Sequence, residues 1–242
     1  FYEQTTFSDI NYVGTVNLIE SAKQCSELEN FVFASTMEVY GWQPISDLIK
    51  DRHETAEDIW AFDETTTPNP NAPYSVAKYA CEKYLEYAYR SYGIPFTAIR
   101  QTNAYGRKDN DFFVTEQIIT QMIKNPNEIN LGYGEPYRNF IFIDDLLEAW
   151  VEVINNPDKV AGEILCLGPD NALKIKDYVG IIADKLNWKG KVNWNTKPER
   201  PGEIYLLNST NHKITSKLGW SPKVSIDEGL DRTIAIWKEK LK

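Results

Sequence analysis

Two stretches of this chain combine side chains able to move protons. The first is PYSVAK, which sets Tyr74 four residues before Lys78. On a helix that spacing places both on one face, about a turn apart. An ammonium there favours the phenolate and lowers the tyrosine pKa, giving an acid/base usable near neutrality. Spacing alone selects little, because Tyr79 and Lys83 repeat it. Position separates the two pairs. Tyr74 follows Pro73 at the start of its helix, where a side chain can face a cleft at the end of a sheet. Tyr79 and Lys83 lie deeper and read as an ordinary helix-surface pair. The second stretch is FASTMEVYG, residues 33–41, an apolar strand running into Ser35, Thr36 and Glu38. A strand made only for burial would end in plain turn residues. In a parallel sheet its carboxyl end is where ligands bind, so a helix packed beside it would bring Thr36, Tyr74 and Lys78 together.

The elements that must position these groups follow from pattern. Ile10, Val13, Leu18 and Ala22 recur at near-helical spacing after Ser8-Asp9, predicting a helix over about 8–26 with that pair as its N-cap. A strand over 31–34 comes next. Residues 42–72, acidic and punctuated by proline, read as a long loop of the kind that carries function. A helix over 73–92 has proline in its first turn and Gly93 as terminator. Strands are expected at 95–101, 129–131, 139–143, 163–168 and 191–195. Helices are expected at about 115–124, from an Asp144-Asp145 cap to 154, at 175–186, near 211–218 and at 226–241. This alternation predicts α/β with a parallel sheet. Residues 1–105 alternate cleanly and 106–242 are more irregular. The division expected is a nucleotide-binding part over 1–105 and a smaller α/β substrate-binding lobe over 106–242, with some exchange of strands and helices between them.

Composition narrows the class. The 242 residues are 42% hydrophobic and 25% charged, with a net charge of −9. That charge argues against nucleic acid as a partner. It leaves room for a phosphorylated small molecule, which needs only one or two arginines. Three scattered cysteines, Cys25, Cys81 and Cys166, form neither a metal spacing nor a disulfide framework, so a reducing cytoplasm is expected. No apolar run long enough to span a membrane is present in the sequence. His53 and His212 sit in loop or cap contexts, and neither metal ligation nor a serine triad is indicated.

Six segments in order then resemble one family, the NAD-dependent epimerase/dehydratases of the extended short-chain dehydrogenase/reductase class. NYVGTVNLIESA resembles the family's N-x-x-G-T-x-N-L-L-E-A helix, and FVFASTMEVYG its strand ending S-[ST]-x-x-V-Y-G. PNAPYSVAKYACE resembles P-Y-x-x-S-K-x-x-x-E, with Ala77 in place of serine. IRQTNAYG resembles L-R-x-x-N-x-Y-G, and GYGEPYRNFIFIDDLLEA resembles G-x-G-x-x-x-R-D-F-I-x-V-x-D-L-x-x-A. RPGEIYLLNSTNHKITSKLGWSP resembles the closing R-x-G-D … L-G-W-x-P segment. The resemblance implies a Rossmann-like fold, NAD as cofactor and a nucleotide-diphosphate sugar as substrate, oxidised transiently at C4. It also implies a homodimer formed through the helices at about 8–26 and 73–92. Family members open on a strand and a G-x-x-G-x-x-G loop that this sequence lacks. The expectation is therefore an N-terminally incomplete sheet, short by about 80 residues, in a chain that by itself binds NAD poorly and is inactive.

By resemblance Tyr74 is the acid/base, Lys78 holds the nicotinamide ribose and tunes Tyr74, and Thr36 shares the hydrogen bond to the reacting hydroxyl. Ser35 lines the nicotinamide site, with the backbone of Gln101 and Thr102 near the carboxamide. Asn103 contacts the diphosphate region, and Arg138 and Arg200 clamp the nucleotide and its phosphates. Glu38 bears on the reaction type. Thr36-Met37-Glu38 is close to the T-[DS]-E of dehydratases and decarboxylases, and a carboxylate there can take the C5 proton of a 4-keto sugar. Met37, where an acid is usual, cannot protonate a leaving hydroxyl. Dehydration or decarboxylation is favoured, 4-epimerisation is the alternative, and a non-catalytic cofactor sensor or scaffold is the alternative of another class. Cys166, Glu203 and Asn208 replace the usual Asn, Asp and Asp, and are expected to be structural.

Overall fold

A computed structural model describes residues 4–44, 60–169, 172–196 and 202–242. Arg200, His53 and residues 45–59 of the long loop predicted over 42–72 lie outside the described residues. The chain enters through α1 (Gln4–Phe7), a π-helical stretch (Ser8–Val13) and α2 (Gly14–Ala22). Ser8-Asp9 is therefore not an N-cap. The backbone is already helical at Phe7, with φ −65° and ψ −40°, so the helix extends one turn further towards the N-terminus.

The central sheet has the order β1-β2-β7, formed by β1 (Phe31–Thr36), β2 (Phe96–Gln101) and β7 (Glu163–Leu167), all parallel. Register pairs Thr36 with Gln101 and Gln101 with Leu167, so the three strands end together. Between β1 and β2 runs α3 (Pro73–Tyr92), with proline at its first position and Gly93 at φ +69° ending it. Gly93 is there because a left-handed terminator suits a residue without a Cβ. One face of α3 buries Cys81, Leu85 and Ala88 against Phe33 and Phe96. A side chain as fully buried as Leu85 contributes about 1.5–3 kcal/mol. The opposite face of the sheet packs Ile99 and Leu165 against Leu146, Ala149 and Val153. The last three belong to α5 (Ile143–Asn155). Helices thus cover both faces of a parallel sheet, the Rossmann-like arrangement the sequence predicts.

The second half builds its own core around α4 (Val114–Lys124), α7 (Ile175–Leu186) and α9 (Ile226–Lys240). Ile118, Ile119 and Met122 meet Tyr178, Val179, Ile182 and Trp237 there. Two short helices, α6 (Pro157–Val160) and α8 (His212–Leu218), pack beside the sheet. Short strands pair: β3 (Asn103–Tyr105) with β6 (Phe140–Phe142), β4 (Glu128–Asn130) with β9 (Lys191–Asn193), and β5 (Tyr137–Arg138) between β8 (Leu173–Lys174) and β10 (Leu206–Leu207). Strand β7, from later in the chain, pairs with β2 and completes the central sheet.

Two local expectations change. The strand expected at 139–143 is shorter, because α5 already begins at Ile143. Asp144 and Asp145 then fall in the first turn of α5 rather than at its cap, where their charge still suits the helix dipole. Asp145 accepts a hydrogen bond from the Val224 amide at 2.9 Å, which ties α5 to the segment leading into α9.

Candidate active site

The site forms where β1 ends and α3 begins. Thr36, extended at φ −148°, caps a short 3-10 turn (Met37–Tyr40) by accepting from the Glu38 amide at 3.2 Å. That turn carries the Glu38 side chain forward while Met37 turns inward. Met37 is buried with Tyr40, Phe62, Leu206 and Leu207. Across from it, Ala72 precedes α3, and the Ser75 hydroxyl both accepts from the Ala72 amide and donates to the Ala72 carbonyl. This fixes the entry of α3 and hence Tyr74.

Tyr74 and Thr36 meet, with the Thr36 side chain as a hydrogen-bond partner of the phenol. Burial and then the Glu38 carboxylate push the Tyr74 phenol up to about 12, with Thr36 opposing. At neutral pH the phenol is therefore protonated. The edge of the Phe7 ring packs on the Tyr74 ring, centroids 6.0 Å apart. The Lys78 amine lies 5.8 Å from the Tyr74 ring centroid and donates to the Ala34 carbonyl at 2.9 Å. Burial lowers its pKa. The expectation that Lys78 sets a depressed tyrosine pKa is corrected for this state. The amine is committed to the end of β1, and desolvation dominates the phenol.

Ser35 is also corrected. Strand alternation turns it beneath the sheet, where it is 1% exposed and donates to Glu82 at 2.5 Å instead of lining a cofactor cleft. Glu82 takes two hydrogen bonds from Arg100, at 3.0 and 2.7 Å. Arg100 also donates to the Tyr40 hydroxyl at 3.0 Å, which reaches the Asp63 carbonyl at 2.7 Å and the Cys166 sulfur at 2.9 Å. Burial would lower the arginine pKa, but Glu82 more than offsets it and holds the guanidinium charged. This buried network braces the ends of all three strands directly under the site. Glu82 stands four residues after Lys78 in the same motif, a spacing that could have announced a second inward-facing charge.

Gln101 ends β2 beside Thr36 and accepts from the Trp150 indole at 3.3 Å. Thr102 is built inward. Its amide donates to the Leu167 carbonyl, and its hydroxyl lies 2.8 Å from the Asn139 carbonyl. Neither donor of Thr102 is open to a cofactor, which corrects that part of the expectation. Asn139, a residue the sequence reading gave no role, bridges Thr102 to Asn208 and the Ser209 carbonyl, at 3.0 Å each. The replacements Cys166 and Asn208 are thus structural, as expected.

A cavity of about 360 Å³ opens beside these residues. Glu38, Asn103, Arg138 and Glu203 supply its charged and polar walls, and Phe112, Tyr133 and Trp194 its aromatic ones. Asn103 donates to the Asn139 carbonyl at 3.2 Å. Arg138 pairs with Glu203 at 2.9 Å and donates to the Tyr137 carbonyl at 2.8 Å. The sequence reading did not name the aromatic walls; Phe112, Tyr133 and Trp194 come from separate segments that only the tertiary fold brings together. Gly134 has to lack a side chain, since a Cβ would stand 2.7 Å from the Trp194 ring. Among the described residues no cluster of His, Cys, Asp and Glu could hold a metal ion, and no helix is long and apolar enough to cross a membrane.

Comparison with known proteins agrees with this fold. The bovine dTDP-D-glucose 4,6-dehydratase is 28% identical over 244 residues, covering 99% of this chain and 64% of the relative. The chain spans about two thirds of the length of the curated relatives it matches. A Thermotoga maritima UDP-glucose 4-epimerase crystallised with UDP-glucose superposes with a TM-score of 0.85 at 26% identity, over 99% of this chain and 73% of that one. A Bacillus anthracis dTDP-glucose 4,6-dehydratase in complex with NAD gives 0.84 at 25%, over 99% and 71%. The model of the GDP-mannose 4,6-dehydratase family matches residues 1–233. With that match over nearly its whole length, the chain belongs to this family of NAD-dependent epimerase/dehydratases.

Proposed function

We propose that this chain carries the catalytic and substrate-binding portion of an NAD-dependent enzyme that modifies a nucleotide-diphosphate sugar, with elimination of water from C5–C6 as the favoured outcome. The observation that carries this reading is Glu38. Its carboxylate lines the cavity shared with Asn103 and Arg138 and is near enough to Tyr74 to raise the phenol's pKa. A buried ammonium and phenol at the carboxyl ends of parallel strands suit the hydroxyls of a nicotinamide ribose, so Tyr74 and Lys78, with Gln101 nearby, would hold NAD. NAD, when bound, would take the C4 hydride and return it, to C6 under the dehydratase reading and to C4 under the epimerase reading.

The residues of the chain do the rest. Thr36 and Tyr74 bind the C4 hydroxyl, and Tyr74 exchanges its proton. Lys78 stays anchored at the Ala34 carbonyl and takes part through the ribose rather than through the charge of the phenol. Once C4 is a ketone, the C5 hydrogen is acidic; Glu38 takes it and passes it to the C6 hydroxyl, which leaves as water. Arg138, whose guanidinium fork suits phosphate oxygens, holds the diphosphate, and Asn103 contacts the same region. Arg200 is assigned to the phosphates by resemblance alone.

A second reading, 4-epimerisation, is favoured by Met37. Its side chain is packed in the core, so residue 37 brings no acid to a leaving hydroxyl. Glu38→Gln in the full-length enzyme that contains this chain, supplied with NAD and dTDP-glucose, UDP-glucose or GDP-mannose, separates the two. Under the dehydratase reading, loss of water from the sugar, followed by mass spectrometry, falls by about 10²–10⁴-fold. Under the epimerase reading, C4 inversion persists and its phenol-dependent pH limb moves to lower pH, because a charge that raised the pKa is gone. Activity of neither kind on any of the three sugars refutes the assignment.

The assembly proposed is a homodimer. Ile10, Val13 and Leu18 on the first helical segment and Val76 on α3 are exposed apolar side chains on contacting elements, which suits a second copy. Light scattering that reports a monomer at micromolar concentration refutes it. A cytoplasmic setting is proposed from the three unpaired cysteines.

A further inference from the structure

The Arg138–Glu203 ion pair stands inside the cavity where the substrate's anionic part is proposed to lie, and this inference rests on that reading. The two side chains are 14% and 29% exposed and 2.9 Å apart, and both belong to the cavity wall. Glu38 adds a second carboxylate to the same wall, and the whole chain is acidic. A diphosphate entering this space meets a guanidinium already neutralised and a carboxylate of its own sign. We propose that Glu203 is an exchangeable counter-ion. It holds Arg138 before the ligand arrives, must release it to the diphosphate, and so sets the affinity and charge selectivity of the site.

Three features support exchange over permanent pairing. First, Arg138 has an anchor that does not involve Glu203. It donates from a second nitrogen to the Tyr137 carbonyl, and Tyr137 and Arg138 form β5, held between β8 and β10. The arginine therefore keeps its place when the carboxylate leaves. Second, Glu203 sits beside Gly202, which adopts φ +75° and accepts through its carbonyl from Asn71 at 2.8 Å. The backbone under Glu203 is thus tied to the residue before Ala72 and α3, and its side chain can turn without the segment detaching. Third, the pair is only partly buried, where an ion pair stabilises little. A divalent, bidentate phosphate ligand can outcompete a single carboxylate on the same fork.

The test is equilibrium binding of UDP, dTDP and GDP to the full chain at low ionic strength, by calorimetry, with uridine as an uncharged probe. If Glu203 competes, Glu203→Gln binds whichever diphosphate the wild type accepts about five- to tenfold more tightly. Affinity for uridine stays unchanged, and the gain shrinks as salt is added. Glu203→Ala is the second variant and carries the same expectation, with unaltered thermal unfolding as the check on folding. Weaker or unchanged diphosphate binding by both variants overturns the proposal, because Glu203 would then be orienting Arg138 or contacting ligand itself. Tightening that extends equally to uridine also overturns it. Wild type binding none of the three diphosphates defeats the nucleotide-sugar reading itself, a result distinct from the other two.

Discussion

Replacing Glu82 by glutamine changes one charge and almost no volume, and the structure gives it a large cost. Glu82 and Arg100 are 0% and 3% exposed and joined by two short hydrogen bonds, with Ser35 donating to the same carboxylate. A guanidinium left without its partner at that depth has no water to solvate it. Breaking a buried pair from one side costs about 3–5 kcal/mol. For a chain of this size each kcal/mol moves the melting temperature by about 2–4 °C, so Glu82→Gln is expected to melt roughly 6–20 °C lower. Urea unfolding followed by tryptophan fluorescence gives the free energy directly, and an unchanged slope against urea shows that the native state kept its compactness. Arg100→Met is expected to lose a comparable amount. The double variant Glu82→Met with Arg100→Met removes both charges, and it is expected to recover most of the loss because no unpaired ion remains. A single Glu82→Gln variant within about 1 kcal/mol of wild type, or a double variant as unstable as the sum of the singles, would refute the view that this pair braces the strand ends through mutual charge satisfaction.

Ser35→Ala removes one donor from Glu82 while Arg100 remains. It should destabilise by about 1.5–3 kcal/mol in urea and leave the KM for NAD unchanged, whereas a raised KM would return Ser35 to the cofactor site. Gly93→Ala meets no atom within 4 Å of its new Cβ, so its cost is the left-handed backbone alone, about 1–2 kcal/mol by thermal unfolding. The Tyr74 phenol is held near 12 in the folded chain against about 10 in the unfolded one, so the folded state favours the protonated form. The stabilisation is complete below about pH 10 and is lost as pH rises through about 12. The stability gap between wild type and Tyr74→Phe should therefore move against the wild type between pH 8 and pH 11, and a pH-independent gap contradicts the shift.

Much of the architecture was legible because it depends on local pattern. The helix over 73–92 declared both ends, with proline at the first position and glycine at the terminator, and the structure keeps both. The three parallel strands were visible as short apolar runs between helical periods. Short strands such as β5, β8 and β10 were not, since two residues carry no period and exist only through their partners. The helix start at Ser8-Asp9 failed for a related reason. A capping residue signals a boundary only if the backbone before it is not already helical, and here the chain is helical from Gln4.

The sequence by itself determined which side chains could do chemistry and in what order. Thr36 ends a strand, Tyr74 and Lys78 share the start of a helix, and Glu38 follows the strand within two residues. Spacing fixes such relations because helix and strand periods are properties of the backbone. Tertiary structure alone decided what each group is for. It turned Ser35 under the sheet, buried Met37, gave Lys78 to the Ala34 carbonyl and set Glu203 against Arg138 across 65 residues of chain. Direction, desolvation and the identity of a charge's partner depend on which surfaces meet, and no periodicity along the chain encodes that.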